Sequence, residues 1–153
     1  MIERLQNKDV AIAKKIRAVF QVSYQVEAKL LNVVDFPPLK RPLEAYVNCP
    51  NTFYGYFQNN QLAAVIEIIH TTSYTHIRSL VVDPAYFRQG IASTLMEFTL
   101  NTYNSNLFIV ETGLANNPAI DLYKKFHFKE VKQWDTEEGI RKIKLELQLE
   151  NEK

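Results

Sequence analysis

Apolar residues recur along this chain with two different periods, and the points where the period changes mark its elements. Residues 1–5 read as a short edge strand. Asp9 is a suitable helix cap, and Ile12, Ile16, Val19 and Phe20 then return at helical spacing. They predict a helix running on through Tyr24 and Leu31 and stopping before Pro37-Pro38. A second, short helix is expected over residues 42–47, because proline is tolerated in a first turn. The period then shortens. Residues 52–57 and 62–69 read as strands, and Asn59-Asn60 between them is a hairpin signal.

Residues 77–82 form another apolar strand, which Asp83-Pro84 closes because proline has no amide hydrogen for a ladder. Past Gly90, Ile91, Leu95 and Phe98 recur at helical spacing, with Ala92, Met96 and Leu100 widening the stripe. Residues 107–110 are continuously apolar, the mark of a strand covered on both faces and often a parallel one. Strand, helix and strand together predict a crossover, with residues 77–82 and 107–111 as adjacent parallel strands. Asn116 as cap, Pro118 in the first turn, and Ala119, Leu122, Tyr123 and Phe126 at helical spacing predict a further helix. Residues 128–134 read as a strand and 135–139 as a turn. Ile143, Leu145, Leu147 and Leu149 then alternate with Lys144, Glu146 and Gln148 as in a strand with one wet face, and residues 151–153 read as a frayed end.

The turn Phe87-Arg88-Gln89-Gly90-Ile91-Ala92 carries the first chemical signal. A helix that begins at a glycine, with small Ala92 two residues on, leaves its first amide hydrogens unobstructed. Those donors, with the positive end of the helix dipole, suit a phosphate. Gly90 admits a ligand close to the backbone, and Arg88 can add a charge-assisted hydrogen bond to the same anion. Taken alone, the stretch is equally an ordinary strand, turn and helix in which Gly90 eases packing.

Glu67 is the second signal. By alternation it shares a face with Ala63, Val65 and Ile69, so a carboxylate stands in apolar company. It reads as a general base whose pKa is raised by desolvation, or as a carboxylate that is wet or paired with Arg78 of the next strand. His70 and His76 flank a polar loop, residues 71–75, where solvated histidines and a proton shuttle are both readable.

The run from Val82 through Pro84 and Tyr86 to Gly90-Ile91-Ala92 resembles the acetyl-coenzyme A signature of the GNAT N-acetyltransferase superfamily, Gln/Arg-x-x-Gly-x-Gly/Ala. Phe87 stands where the family most often has Gln or Arg, although backbone donors do not depend on that side chain. A second family motif, Asn-x-x-Ala-x-x-x-Tyr followed by Gly-Phe, is matched by Asn116, Ala119, Tyr123 and Phe128, with His127 in place of the glycine. The resemblance covers roughly residues 53–149. It implies a mixed α/β fold of the acyl-CoA N-acyltransferase kind: about seven strands, mostly antiparallel and twisted, a splayed central parallel pair, and helices on both faces. Acetyl-coenzyme A would lie as co-substrate in the splay. Its pantetheine arm would meet the backbone of Leu80 and Val82, an amide of Val81 or Leu80 would polarise the acetyl carbonyl, its pyrophosphate would sit on the amides of Arg88, Gln89, Gly90, Ile91 and Ala92, and Phe87, Ser93, Asn116, Ala119 and Tyr123 would complete the cofactor site.

The reaction so implied moves the acetyl group directly to a primary amine of a small molecule or a protein. Such an amine, with a pKa near ~10, is almost wholly protonated at neutral pH, so a proton must leave before nitrogen attacks the thioester. Glu67 is the expected base and Tyr123 the expected acid for the departing thiolate. The alternative is a non-catalytic acyl-CoA-binding or regulatory module, which the departures at Phe87 and His127 keep open. A homodimer is expected by family analogy alone.

Composition narrows the rest. The 153 residues, 46% hydrophobic and 12% aromatic, suit one compact domain with a substantial core. A net charge of +1 with both signs interspersed offers no footprint for nucleic acid or a membrane surface. The one cysteine, Cys49, excludes an intrachain disulfide and a Cys/His metal cluster, and no apolar run suits a membrane span, so a reducing cytoplasm is the expected compartment.

Overall fold

The first helix forms where its cap predicts it: the Asp9 carboxylate accepts from the amides of Ala11 at 2.9 Å and Ile12 at 3.4 Å, and α1 runs over Val10–Leu30. A computed structural model describes residues 1–149, so the predicted frayed end at 151–153 lies outside the described residues. The short helix α2 spans Leu43–Val47 behind Pro42, α3 spans Ile91–Thr102 behind Gly90, and α4 spans Asn117–Lys125 behind the Asn116 cap. Two 3-10 turns, Pro37–Lys40 and Pro84–Tyr86, had no signature in the periodicity. Proline presets their φ, and they are too short to carry an amphipathic stripe.

The strands are β1 (Ile2–Leu5), β2 (Thr52–Gln58), β3 (Gln61–His70), β4 (Thr75–Val82), β5 (Leu107–Gly113), β6 (Lys129–Asp135) and β7 (Arg141–Gln148). They form one seven-stranded sheet in the order β1-β2-β3-β4-β5-β7-β6, antiparallel except for the β4–β5 pair. β4 begins two residues before its apolar run, because Thr75 and His76 pair with Phe108 and Ile109. Pairing across the sheet overrides their polar character.

Helices cover both faces. On one, Ile91, Leu95 and Met96 of α3 and Ile120 of α4 pack with Ile66, Ile68, Phe108 and Val110. On the other, Ala13, Ile16, Val19 and Phe20 of α1 meet Tyr46, Phe53, Val65 and Val81. β3, sandwiched between them, is buried from Ala63 through Ile68, Glu67 included.

The parallel ladder is short. It holds Thr75, His76 and Ile77 against Phe108, Ile109 and Val110 and then stops. At that point β4 carries a bulge: Ile68 of β3 faces Ile77, but the next residue, Glu67, faces Ser79, leaving Arg78 as the extra residue. A bulge bends its strand. From there β4 stays with β3, through Leu80 opposite Ile66 and Val82 opposite Ala64. β5 stays with β7, through Thr112 opposite Ile143 and Gly113 opposite Lys142. The two parallel strands thus part over their second halves.

Candidate active site

The parting opens a cavity of about 560 Å³, walled by Arg78, Ser79 and Leu80 of β4, Val110 to Gly113 of β5, and Tyr24 and Glu27 of α1. Arg41, Asn51, Glu67, Asn116, Ala119 and Tyr123 also line it. Glu67 and Tyr123, far apart in sequence, therefore face one space. Tyr123 is 5% exposed, and its hydroxyl has no hydrogen-bond partner among the described residues. Burial, with the charge of Glu27 and the neighbouring Tyr24 phenol, pushes its pKa well above the ordinary tyrosine value. The phenol is protonated at physiological pH and free to donate.

Glu67 differs from both readings its pattern allowed. It is fully buried, so its face is not wet, and its cation is not Arg78 but Arg41, 26 residues away in the chain. Arg41 grips it through both terminal nitrogens, Nη1 to Oε1 at 2.8 Å and Nη2 to Oε2 at 3.2 Å. Asn51 donates to Oε2 at 2.8 Å, Ser79 to Oε1 at 3.2 Å and the Cys49 thiol to Oε2 at 3.5 Å. Burial alone would raise the pKa, but the hydrogen bonds and charge of Arg41, aided by Asn51 and Cys49, hold it below the ordinary carboxylate value. The expected raised pKa is thus corrected to a lowered one. The Arg41 guanidinium lies 4.2 Å from the Tyr46 ring centroid, so the ion pair rests on an aromatic floor.

The carboxylate with the raised pKa is Glu27, on α1. Asn116 Nδ2 donates to its Oε1 at 2.6 Å and Thr112 Oγ1 donates at 3.4 Å, tying α1 to β5 and to the cap of α4. Burial lifts its pKa, and these hydrogen bonds with the charge of Lys142 only partly offset that. Arg41 and Glu27 left no mark in the sequence, because their partners come from other elements.

The loop before α3 lies outside the cavity wall. Arg88 takes φ 64° and Gly90 φ 74°, left-handed backbone on either side of Gln89. The first helical hydrogen bond runs from the Thr94 amide to the Gly90 carbonyl, and the amides of Arg88, Gln89, Gly90, Ile91, Ala92 and Ser93 have no partner among the described residues. A Cβ at Gly90 would meet nothing within 4 Å, so the space in front of these donors is open. Phe87 is 44% exposed there, Ser93 Oγ accepts from Lys125 at 3.4 Å, and Arg88 and Gln89 are exposed. Of the expected pantetheine strand, Leu80 lines the cavity, whereas the Val81 side chain is buried against α1, leaving only backbone to offer. At the second motif, Asn116 Oδ1 accepts from the Ala119 amide at 3.4 Å, and His127 adopts φ 72°, the conformation a glycine would take without strain.

Residues 16–128 match the family model described as the acetyltransferase (GNAT) family. The chain belongs to that family. A curated relative, the UPF0157 protein YqkA of Bacillus subtilis (strain 168), is 31% identical over 163 aligned residues, covering 100% of this chain and 47% of the relative. An N-alpha-acetyltransferase of Saccharolobus solfataricus is 43% identical over 61 residues, 37% of this chain and 36% of that protein. The chain thus spans about half the length of the Bacillus relative, and the archaeal match takes in about a third of each partner. Among solved structures, the ribosomal-protein-S18-alanine N-acetyltransferase from Escherichia coli superposes with a TM-score of 0.77 at 18% identity, covering 100% of this chain and 96% of that one. That likeness establishes the GNAT fold, with its mixed sheet and single parallel pair.

Proposed function

We propose that this GNAT protein transfers the acetyl group of acetyl-coenzyme A directly to a primary amine. The observation that carries the reading is the gap between β4 and β5, with the Tyr123 hydroxyl on its wall and, in the loop that follows β4, amides that have no partner among the described residues. The residues present suit the co-substrate. The amides of residues 88–93 and the α3 dipole would hold its pyrophosphate, and the backbone of Leu80 and Val82 would meet its pantetheine arm. Asn116 and Ala119 would border the thioester end.

Tyr123 then serves as the acid. Its phenol stays protonated and donates a hydrogen bond to the sulfur as the carbon–sulfur bond breaks, easing departure of the thiolate, while its raised pKa makes complete proton transfer the costlier outcome. Glu67, proposed from its pattern as base, has both oxygens engaged and a lowered pKa. Within the proposal it keeps Arg41, Asn51 and Ser79 in place at the acceptor end, and proton removal falls to a carboxylate with free lone pairs or to solvent.

A peptide α-amino group is the acceptor class we favour. A groove of about 780 Å³, lined by residues 31–35 and 138–141, shares Leu31, Glu138 and Ile140 with the cavity, giving an extended chain a route to Tyr123. The names of the archaeal relative and of the Escherichia coli structure point the same way. The test is thiol release from acetyl-coenzyme A across free-amino-terminal peptides and small amines. Release that Tyr123→Phe lowers about 100-fold or more, with co-substrate affinity unchanged, supports the transferase. A wild type that binds acetyl-coenzyme A yet acetylates nothing in the panel favours the non-catalytic module.

A further inference from the structure

Four carboxylates line the cavity, and they do not stand in equal circumstances. Glu67 has its own cation in Arg41. Glu138 is exposed in the turn before β7, and Glu111 is half-buried opposite Lys144 in the β5–β7 ladder. Glu27 alone is held on one side and vacant on the other: Oε1 takes the Asn116 and Thr112 donors, while Oε2 has no partner among the described residues. No cation lies within salt-bridge distance of it there. Removing a carboxylate from water is costly, and proteins answer that cost by pairing the charge. Lys142, on the same wall, acts on it only from beyond salt-bridge distance, so a direct partner for Oε2 is left to what enters.

We propose that Glu27 receives the acceptor as its ammonium ion, pairing through Oε2 with the nitrogen that is to be acetylated. The proposal rests on the transfer reading above and deepens it: the acceptor docks in the protonated form that dominates at neutral pH, at a carboxylate on the same wall as Tyr123. Asn116 gives the arrangement its aim. Its Nδ2 fixes Glu27 while its Oδ1 caps α4, the helix that carries Tyr123, so one side chain registers acceptor and acid against each other. The titratable groups facing Glu27 are Lys142, Tyr24 and Tyr123. Two neutral phenols and one lysine leave it short of a full partner, in keeping with its raised pKa.

The test uses protein saturated with coenzyme A, which has no acetyl group to give, and calorimetric binding of three probes: an alanine-initiated hexapeptide, its amino-terminally acetylated form, and propylamine. In wild type the free peptide should bind about tenfold or more tighter than the acetylated one. Glu27→Gln should abolish that preference with coenzyme A affinity unchanged, and Glu27→Asp should keep part of it. A preference that survives in Glu27→Gln overturns the proposal, as does a wild type that binds neither the free peptide nor propylamine. Should Glu27→Gln fail to fold, wild type alone decides. Below about pH 7, where the peptide amine stays charged, affinity must rise with pH as Glu27, its pKa raised by burial, ionises, and a flat profile overturns it. Failure of wild type to bind coenzyme A at all sinks the transferase reading instead, so the two failures are distinct.

Discussion

Glu67 and Arg41 show how a buried charge is kept. Removing the partner leaves an uncompensated carboxylate in a fully buried site, so Arg41→Ala should cost about 3–5 kcal/mol in urea unfolding, well beyond a surface substitution. The sign of its pH dependence follows from the shift. The folded pKa of Glu67 lies below the unfolded one, so its contribution is full above the unfolded carboxylate value and is lost as pH falls through the folded value. Acid titration of stability should accordingly be shallower in Glu67→Gln than in wild type. Glu27 works in the opposite direction: its raised pKa means that ionisation at neutral pH opposes folding, and its protonated form is the stabilising one. His127 supplies the third residue-scale expectation. Its φ of 72° strains a side chain, so His127→Gly should raise stability by about 0.5–1 kcal/mol after glycine's own entropy loss, read from the denaturant midpoint. The motif made that position legible in the sequence. The partners of Glu67 and Glu27 were not legible, because each hydrogen bond joins residues that only the tertiary fold brings together.

Among elements, the link between β4 and α3 is where the proposed function puts the co-substrate's pyrophosphate. The amides of residues 88–93 have no partner among the described residues, so in hydrogen-exchange measurements they should exchange quickly in free protein and become protected when coenzyme A is added. Protection confined to other segments would contradict the cradle. Gly90→Val places a branched side chain at φ 74° in front of those donors, and should weaken coenzyme A binding about tenfold or more while leaving Tyr123 untouched. The strand–turn–helix was readable from periodicity and one proline. The bulge at Arg78 was not, since nothing in the local pattern separates Ile77, Arg78 and Ser79 from a regular strand, and only the register against β3 exposes the extra residue.

For the molecule as a whole, two cores lie on opposite faces of one sheet, and the cavity opens where the β4–β5 ladder ends between them. A ligand in that gap would bridge strands that do not bond each other, so it should stabilise the whole sheet. At a hundredfold excess over Kd, coenzyme A should add roughly 2.7 kcal/mol, a rise of roughly 5–10 °C in Tm. An unchanged melting temperature at saturation would argue against binding there.

The sequence by itself determined the elements, the order in which they follow, the parallel crossover and the two motifs, because periodicity, caps and prolines act over a few residues of chain. Only the tertiary structure decided that the crossover strands part after Ile77, that Arg41 neutralises Glu67, and that Glu27, on the cavity wall with Tyr123, keeps one oxygen without a partner among the described residues. The physical reason is range. Hydrogen bonding within a turn and side-chain periodicity are written locally, whereas desolvation and charge pairing depend on neighbours that come close only once the sheet has closed.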